Sequence, residues 1–167
     1  PKASRMAIIW DRNSLPNLSD VKASEAAARA MGVQIQSLDV PDADALENAF
    51  LSAVKGRAQA LLIASSGFIA SLSKRVVTLA AKARLPAIYS SSRFTLAGGL
   101  MSYSADTDEQ YRYAATYVSR ILKGEKPADL PVQQPTKFEF LINLKTAKAL
   151  GITIPNSVLV QATKVIQ

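Results

Sequence analysis

The chain contains no cysteine and no histidine among its 167 residues. Without cysteine there are no disulfides and no thiolate nucleophile, so cysteine usage says nothing about the redox compartment. Without histidine as well, zinc, copper and iron sites lose their usual ligands, and Ser-His and Cys-His catalytic pairs are excluded. Hard-metal sites built from carboxylates and lysine- or carboxylate-based catalysis remain open. We expect no cofactor and no bound metal.

Several longer patterns are also missing from the sequence. No apolar run approaches the roughly 18 residues of a membrane span, and no signal peptide is recognisable. Neither a G-x-G-x-x-G loop nor a G-x-x-x-x-G-K-[ST] loop occurs, which argues against the common nucleotide-binding enzymes. The chain starts almost directly with a predicted strand, so a targeting segment, if one existed, is expected to have been removed.

The balance of charge is strongly basic, with 20 Lys and Arg residues against 13 Asp and Glu residues and a net charge of +7. Such a charge could suit nucleic acid or an anionic surface. The basic residues, however, stand singly along predicted helices, and no basic run is interleaved with aromatic residues. We therefore interpret the charge as a solvated surface and predict no nucleic-acid partner. The 49% hydrophobic content is enough for one ordinary core.

The stretch from Gln59 to Gly67 is predicted to contain the central strand of the fold. It is a short apolar run that ends in small polar residues and leads into an amphipathic run from Phe68 to Arg84. That order predicts a buried strand, a tight loop and a helix. Further strands are predicted at Arg5–Trp10, Val33–Val40, Leu85–Tyr89 and Leu100–Ser104. Their alternation with helices predicts an α/β fold, a Rossmann-like parallel sheet flanked by helices with right-handed crossovers.

Capping residues predict where several helices begin and end. Ser19 and Asp20 are expected to cap a helix through Met31 that is closed by Gly32, after a polar loop over residues 11–17. Asp42 and Asp44 suit the start of the next helix, which ends near Gly56. Its predicted apolar face consists of Leu46, Phe50, Leu51 and Val54.

The second half changes character after Gly98 and Gly99. Asp106 is expected to cap an amphipathic helix that ends at Gly124 and carries Tyr111, Ala114, Ala115, Val118, Ile121 and Leu122 on one face. Three prolines predict an extended segment from Glu125 to Thr136. A strand over Phe138–Asn143, a short helix over Leu144–Leu150 stopped by Gly151, and a terminal element of open type complete the chain.

The loop after the central strand is the first candidate binding surface. Ligands of open α/β sheets bind beyond the carboxyl ends of the strands, and Ser65, Ser66 and Gly67 follow such an end. The alternative is that these residues form only a turn and an N-cap, for which serine is favoured without any ligand. Both interpretations stay open at this stage.

Three segments closely resemble the substrate-binding proteins of ABC transporters: Leu85–Tyr89, Ala97–Tyr103 and the long run Tyr117–Pro155. The branch that they resemble includes tryptophan and tyrosine binders, and the resemblance covers essentially the whole chain. It implies one lobe of a type I periplasmic-binding fold and a non-enzymatic periplasmic receptor. Such a receptor closes two lobes on a small polar or aromatic metabolite, an amino acid or a carboxylate, and delivers it to the ABC permease membrane subunits.

The resemblance also implies a division of the chain, because family members are about twice this length. Residues 4–98 would form the second lobe, residues 99–136 a return to a first lobe, and residues 137–167 the final crossing and the end of the second lobe. On this division we expect most of the first lobe to lie outside the 167 residues of this sequence. If it is truly absent, the apolar face of the helix from Tyr111 to Leu122 is expected to repack on this lobe or to drive self-association.

The resemblance places the ligand between the lobes, against the loops at the carboxyl ends of the strands. The site residues that it implies are Asn13, Ser65, Ser66, Gly67, Phe68, Ser90, Ser91, Arg93, Tyr103 and Asp106. Hydroxyls, helix N-terminal N–H groups and Arg93 would hold a carboxylate, while Trp10, Phe68, Tyr89 or Tyr103 could stack on an aromatic group. The alternatives are core positions for Trp10 and Tyr89, an exposed helical position for Arg93, and an N-cap for Asp106.

One departure from the family leaves the ligand open. Relatives carry an acidic residue in the loop after the central strand, which suits a ligand ammonium, whereas the loop over residues 65–68 has no carboxylate. An α-amino acid and a carboxylate or other neutral or anionic metabolite both remain candidates. Two rival functions use related folds: the effector-binding domain of a transcriptional regulator and a single-domain α/β enzyme.

Overall fold

The computed structural model describes residues 3–167 as a seven-stranded sheet with helices on both faces. The strands are β1 Arg5–Trp10, β2 Gln34–Asp39, β3 Ala60–Ile63, β4 Ala87–Tyr89, β5 Met101–Ala105, β6 Phe138–Asn143 and β7 Lys164–Ile166. The helices are α1 Leu15–Ala30, α2 Ala45–Lys55, α3 Gly67–Ser71, α4 Ser73–Lys82, α5 Ser92–Leu96, α6 Thr107–Leu122, α7 Leu144–Leu150 and α8 Asn156–Leu159.

The strand order is β2-β1-β3-β4-β5-β6-β7, and the predicted α/β class is confirmed. Strands β1 to β5 are all parallel, while β6 runs antiparallel to β5 and parallel to β7. The chain moves from β1 to β2 on one side and returns to β3 on the other. Because crossovers are right-handed, α1 and α2 cover opposite faces of the sheet.

The main core lies between the sheet and α2, α4 and α5. Alternate strand residues such as Ile9, Ile63 and Tyr89 point into it and contact Phe50 and Phe94 within one buried cluster. Continuous apolar strands are expected where both faces of a parallel sheet are covered, and Ile8, on the other face of β1, is also fully buried.

Several predicted element boundaries are wrong, and the reasons are local. Helix α1 begins at Leu15 with Ser14 at the N-cap position, because Pro16 is compatible with the first turn of a helix. The single helix predicted after β3 is two helices that break at Leu72. Residues 92–96, for which no helix bounds were predicted, form the short helix α5. The terminal element contains both α8 and β7.

The predicted apolar face of α2 is half correct. Leu46 and Phe50 are buried, but Leu51 and Val54 are 59% and 48% exposed. Both sets keep helical spacing, so periodicity could not tell which of them faces the sheet. The predicted caps are confirmed at Asp42, which accepts hydrogen bonds from the N–H groups of Asp44 and Ala45.

Helix α6 forms as predicted but has no core of its own. Asp106 caps it by accepting a hydrogen bond from Glu109 N at 3.1 Å. None of its residues is buried, and Tyr111 and Leu122 are 73% and 82% exposed. Its main link to the rest of the chain is the extended segment, where Tyr117 Oη donates to Pro131 O at 2.6 Å. The apolar face of α6 was expected either to repack on this lobe or to drive self-association. Repacking on this lobe is not observed. Within residues 3–167, no helix combines the length and the apolar character that crossing a membrane requires.

Tyr89 and Phe94 form the aromatic centre of the core. Their rings stack with centroids 4.9 Å apart, and both side chains are almost completely buried. Gly99 lies against this pair so closely that an added Cβ would be 2.5 Å from the Tyr89 ring. Burial raises the pKa of the Tyr89 phenol well above its usual range, because the phenolate would lose its hydration.

The raised pKa of Tyr89 predicts a loss of stability in alkaline solution. In the unfolded chain this phenol ionises near pH 10, whereas in the folded chain it stays protonated at that pH. The free energy of unfolding should therefore fall above about pH 10, by up to about 1.4 kcal/mol per pH unit from this one group. Urea unfolding between pH 8 and pH 11 should show a shallower decline in Tyr89→Phe than in wild type. Tyr103→Phe is the matched control, since it leaves Tyr89 in place, and equal declines in all three proteins would contradict the prediction.

Candidate functional site

The loops after β1 and β3 meet at the carboxyl edge of the sheet. These two strands are neighbours, and the chain leaves them in opposite directions, toward β2 and toward β4. The helices that follow them cover opposite faces, so a crevice opens between the two loops. In open α/β sheets this is the position where ligands bind.

Asp11 and Ser66 join the two loops. Ser66 Oγ donates a hydrogen bond to Asp11 Oδ2 at 2.8 Å and accepts one from Ile69 N at 3.1 Å. The other carboxylate oxygen, Asp11 Oδ1, accepts a hydrogen bond from Asn13 N at 2.9 Å. Ser66 therefore does cap α3, as the alternative prediction had it, and its hydroxyl hydrogen also reaches across to the neighbouring loop.

Asn17 is hydrogen-bonded to the same two loops from their buried side. It is fully buried, although it stands in the first turn of α1. Its Oδ1 accepts a hydrogen bond from Asp11 N at 3.1 Å, and its Nδ2 donates to Ser65 O at 3.3 Å. Both ends of the amide are therefore occupied, which leaves Asn17 a positioning role.

Ser90 extends this hydrogen-bonded group to the end of β4. Its Oγ accepts a hydrogen bond from Ser65 N at 2.7 Å and donates one to Ile63 O at 3.3 Å. The structure thus brings the predicted residues Asn13, Ser65, Ser66 and Ser90 into one group. Gly67 follows directly, and the space that its missing Cβ would occupy is open.

Ser91 and Arg93 lie at the start of α5, next along the same edge. The Ser91 side chain makes no capping hydrogen bond, although Ser91 occupies the N-cap position. Arg93 is exposed and helical, as its alternative interpretation had it, and no ion pair within residues 3–167 involves it. Its guanidinium is therefore not committed to a carboxylate of the described residues.

The four aromatic residues expected to stack on a ligand differ in their availability. Tyr89 is 1% exposed and belongs to the core, as its alternative interpretation had it. Phe68 is half-buried against the core cluster, and Trp10 is half-buried with Nε1 donating to Ser37 Oγ at 2.9 Å. Tyr103 is 54% exposed and stacks on Phe138 with ring centroids 5.5 Å apart.

Tyr103 and Asp106 lie at the far end of the edge, where β5 leads into α6. In the part of the chain that the structure describes, no hydrogen bond links either side chain to the group around Ser66. Asp106 is occupied as the N-cap of α6. Tyr103 is nevertheless next to Ser102, which pairs with Tyr89, the residue before Ser90, whereas Asp106 lies beyond the end of β5.

Sequence reasoning did not single out Asp11 and Asn17 as individual site residues. Both fell inside the loop that was selected as a whole, and Asn17 was counted as loop because α1 was expected to begin later. A sequence signal was present, since Asp11 follows directly on a strand that is apolar up to Trp10. Their partners in the loop after β3 could not be predicted from the sequence, because they are 48 and 55 residues away in it.

Comparison with known proteins agrees with this architecture. Residues 1–166 match the family described as ABC transporter substrate binding protein. The chain is 22% identical over 152 residues to a tyrosine-binding protein of Clostridioides difficile, a match that covers 91% of this chain and 44% of that protein.

Solved structures of similar fold extend the comparison. The ABC domain from Streptococcus pneumoniae in complex with L-Trp has a TM-score of 0.89 and 27% identity, with 98% of this chain and 55% of that chain covered. A conserved domain protein from Vibrio cholerae has a TM-score of 0.91 at 22% identity, with 99% and 55% covered, which is a likeness of fold. The chain spans about half the length of these relatives. Because the family match extends over nearly the whole sequence, the chain belongs to the family of ABC transporter substrate-binding proteins.

Proposed function

We propose that this chain is the second lobe of a periplasmic receptor for an ABC importer. The receptor captures a small polar or aromatic metabolite, an amino acid or a carboxylate, between two lobes and delivers it to the permease subunits. It performs no catalysis and works outside the cytoplasm, in keeping with the usual location of the family. The observation that carries the proposal is the hydrogen-bonded group of Asp11, Ser65, Ser66 and Ser90 at the edge where sheets of this kind bind ligands.

The polar groups at this edge suit a ligand that carries a carboxylate. The hydroxyl hydrogens of Ser66 and Ser90 are already donated to Asp11 Oδ2 and Ile63 O, so the hydroxyls of Ser65 and Ser91 are the ones left to donate to a ligand oxygen. Arg93 adds a planar guanidinium that can bind a carboxylate through two parallel hydrogen bonds. The names of two relatives, a tyrosine-binding protein and a domain solved with L-Trp, also support an amino acid or an amino-acid-like carboxylate.

The unburied helix α6 supports the two-lobed arrangement. Its face with Tyr111, Val118, Ile121 and Leu122 is apolar and exposed, although an amphipathic helix is stable chiefly when that face is covered. We assign residues 4–98 and 137–167 to the second lobe and residues 99–136 to the first, whose remaining part would cover α6. The strands β5 and β6, which flank this excursion and pair with each other, would then be the hinge crossings.

Arg93→Ala is the direct test of the site. In the full-length protein purified from its native host, mass spectrometry should detect a bound small molecule that carries a carboxylate. Calorimetry should then show at least about tenfold weaker binding of that molecule to Arg93→Ala, because a charge-assisted pair contributes about 1.5–3 kcal/mol. Arg29→Ala is the matched control, since Arg29 is equally exposed but lies in the last turn of α1.

Two results would contradict the proposal in different ways. Equal affinity of Arg93→Ala and wild type would remove Arg93 from the site. Uptake of the bound molecule by intact cells that stays unchanged after deletion of the protein would remove the importer role, even if binding is real.

A further inference from the structure

Asp11 is a buried carboxylate whose charge is not neutralised. It is 5% exposed, and in residues 3–167 no lysine or arginine nitrogen lies within 4.0 Å of its oxygens. The adjacent Arg12 is paired with Asp39 instead. Aspartate is rarely buried to this degree without a charge partner, because an ionised carboxylate loses its hydration.

The structural part of the role of Asp11 does not require a charge. Its carboxylate accepts one hydrogen bond from Asn13 N and one from Ser66 Oγ. An asparagine could make both contacts, since its Oδ1 would accept from the Asn13 amide and its Nδ2 could donate to the Ser66 hydroxyl. What aspartate adds at this position is therefore the negative charge itself.

The Asp11 carboxylate also has unused capacity to accept hydrogen bonds. Its two oxygens offer about four acceptor positions, and two of these are filled. The neighbours toward the edge are the exposed Asn13, the half-buried Ser66 and the exposed Gly67 with open space beside it. A second carboxylate, that of Asp20, lies nearby, with its Oδ2 3.5 Å from Asn17 Nδ2.

We infer that Asp11 binds the protonated amino group of the ligand, so that this chain selects metabolites with a cationic nitrogen. The inference deepens the proposed function and rests on it. The ligand ammonium would supply the missing countercharge and displace the little water that remains, while Ser66 holds the carboxylate in place. Arg93, farther along the same edge, would hold an acidic group, so the site discriminates by charge at both ends of the ligand.

The first test needs no ligand. Asp11→Asn keeps both hydrogen bonds and removes an unneutralised buried charge, so its urea midpoint should equal or exceed that of the wild-type chain. Asp129→Asn, in the exposed segment before the final crossing, removes the same charge at the surface and should leave the midpoint unchanged. A midpoint for Asp11→Asn clearly below both others would show a structural carboxylate and overturn the inference.

The second test uses probe pairs that differ only in the amino group. L-Tryptophan and indole-3-propionate form one pair, and L-tyrosine and 3-(4-hydroxyphenyl)propionate form the other. In the full-length protein we expect the amine to bind at least about 30-fold more tightly than its deaminated partner. Asp11→Asn should abolish that preference, and Asp129→Asn should retain it.

The outcomes separate the inference from the proposed function. Equal binding of both members of a pair, or a preference that survives in Asp11→Asn, overturns the inference and leaves the receptor role standing. Failure of every probe to bind at millimolar concentration overturns the assignment of an amino acid or related carboxylate as ligand, and the inference with it.

Discussion

Replacing Val118 and Leu122 together by lysine is expected to lower the free energy of unfolding by at least about 3 kcal/mol in a two-lobed protein, and by almost nothing in the 167-residue chain at concentrations where that chain is monomeric. The two residues are one turn apart on α6 and are 55% and 82% exposed here. Covering a large aliphatic side chain contributes about 1.5–3 kcal/mol, and a lysine in the same place would bury a charge. Urea unfolding of both forms measures the difference.

A second measurement follows from the same surface. Because the apolar face of α6 is uncovered in the 167-residue chain, that chain is expected to self-associate, and the double substitution should make it monomeric in sedimentation equilibrium. Thr116→Lys is the matched control on the opposite side of α6, where it should change neither property. Equal stability losses in the long and the short protein would contradict the assignment of α6 to the first lobe.

Phe94→Ala is expected to reduce the free energy of unfolding of this chain by about 3–5 kcal/mol, the usual cost of truncating a fully buried phenylalanine. The lost ring stacks on Tyr89 and holds α5 against the sheet. Alanine would leave a cavity between Tyr89 and the closely packed Gly99, which the rigid surroundings could not fill. Urea unfolding at pH 7 is the measurement.

Phe138→Ala is the matched control for this substitution. Phe138 also takes part in a stacked pair, with Tyr103, but it is 49% exposed and loses much less apolar burial when truncated. Its expected cost in the 167-residue chain is below about 1.5 kcal/mol. If the two substitutions cost the same, stacking rather than burial would control the stability of these aromatic pairs.

Most of the fold could be predicted because its signals are local. The apolar run of β1, the alternation of strands and helices, the Asp106 cap and the stop at Gly151 each depend on residues a few positions apart. The errors lie where local signals are degenerate. Pro16 fits either a loop or a first helical turn, and the break at Leu72 interrupts an apolar pattern that continues through it.

The candidate site was predictable as a set of loops but not as a set of contacts. The serines after β3 and β4 were predicted because they follow the carboxyl ends of strands. In the structure Ser65 N donates a hydrogen bond to Ser90 Oγ. For Tyr89 the sequence left a core position and a ligand contact both open, because alternation along a strand does not say which face a ligand could reach, and the structure places it in the core. The carboxylate that the loop over residues 65–68 lacks is brought to Ser66 by the neighbouring strand, as Asp11.

The sequence by itself determined the fold class, the absence of histidine and cysteine chemistry, and the family resemblance, because composition, periodicity and motifs are properties of neighbouring residues. Only the tertiary structure decided that, among residues 3–167, Asp11 is buried with no cationic side chain paired to it, Arg93 joins no ion pair, and α6 stands uncovered. Burial and charge pairing depend on residues that are far apart in the chain and are brought together by strand order. The burial and the ion pairing of a side chain therefore depend on the arrangement of all the strands in the sheet, and no single segment of the sequence predicts them.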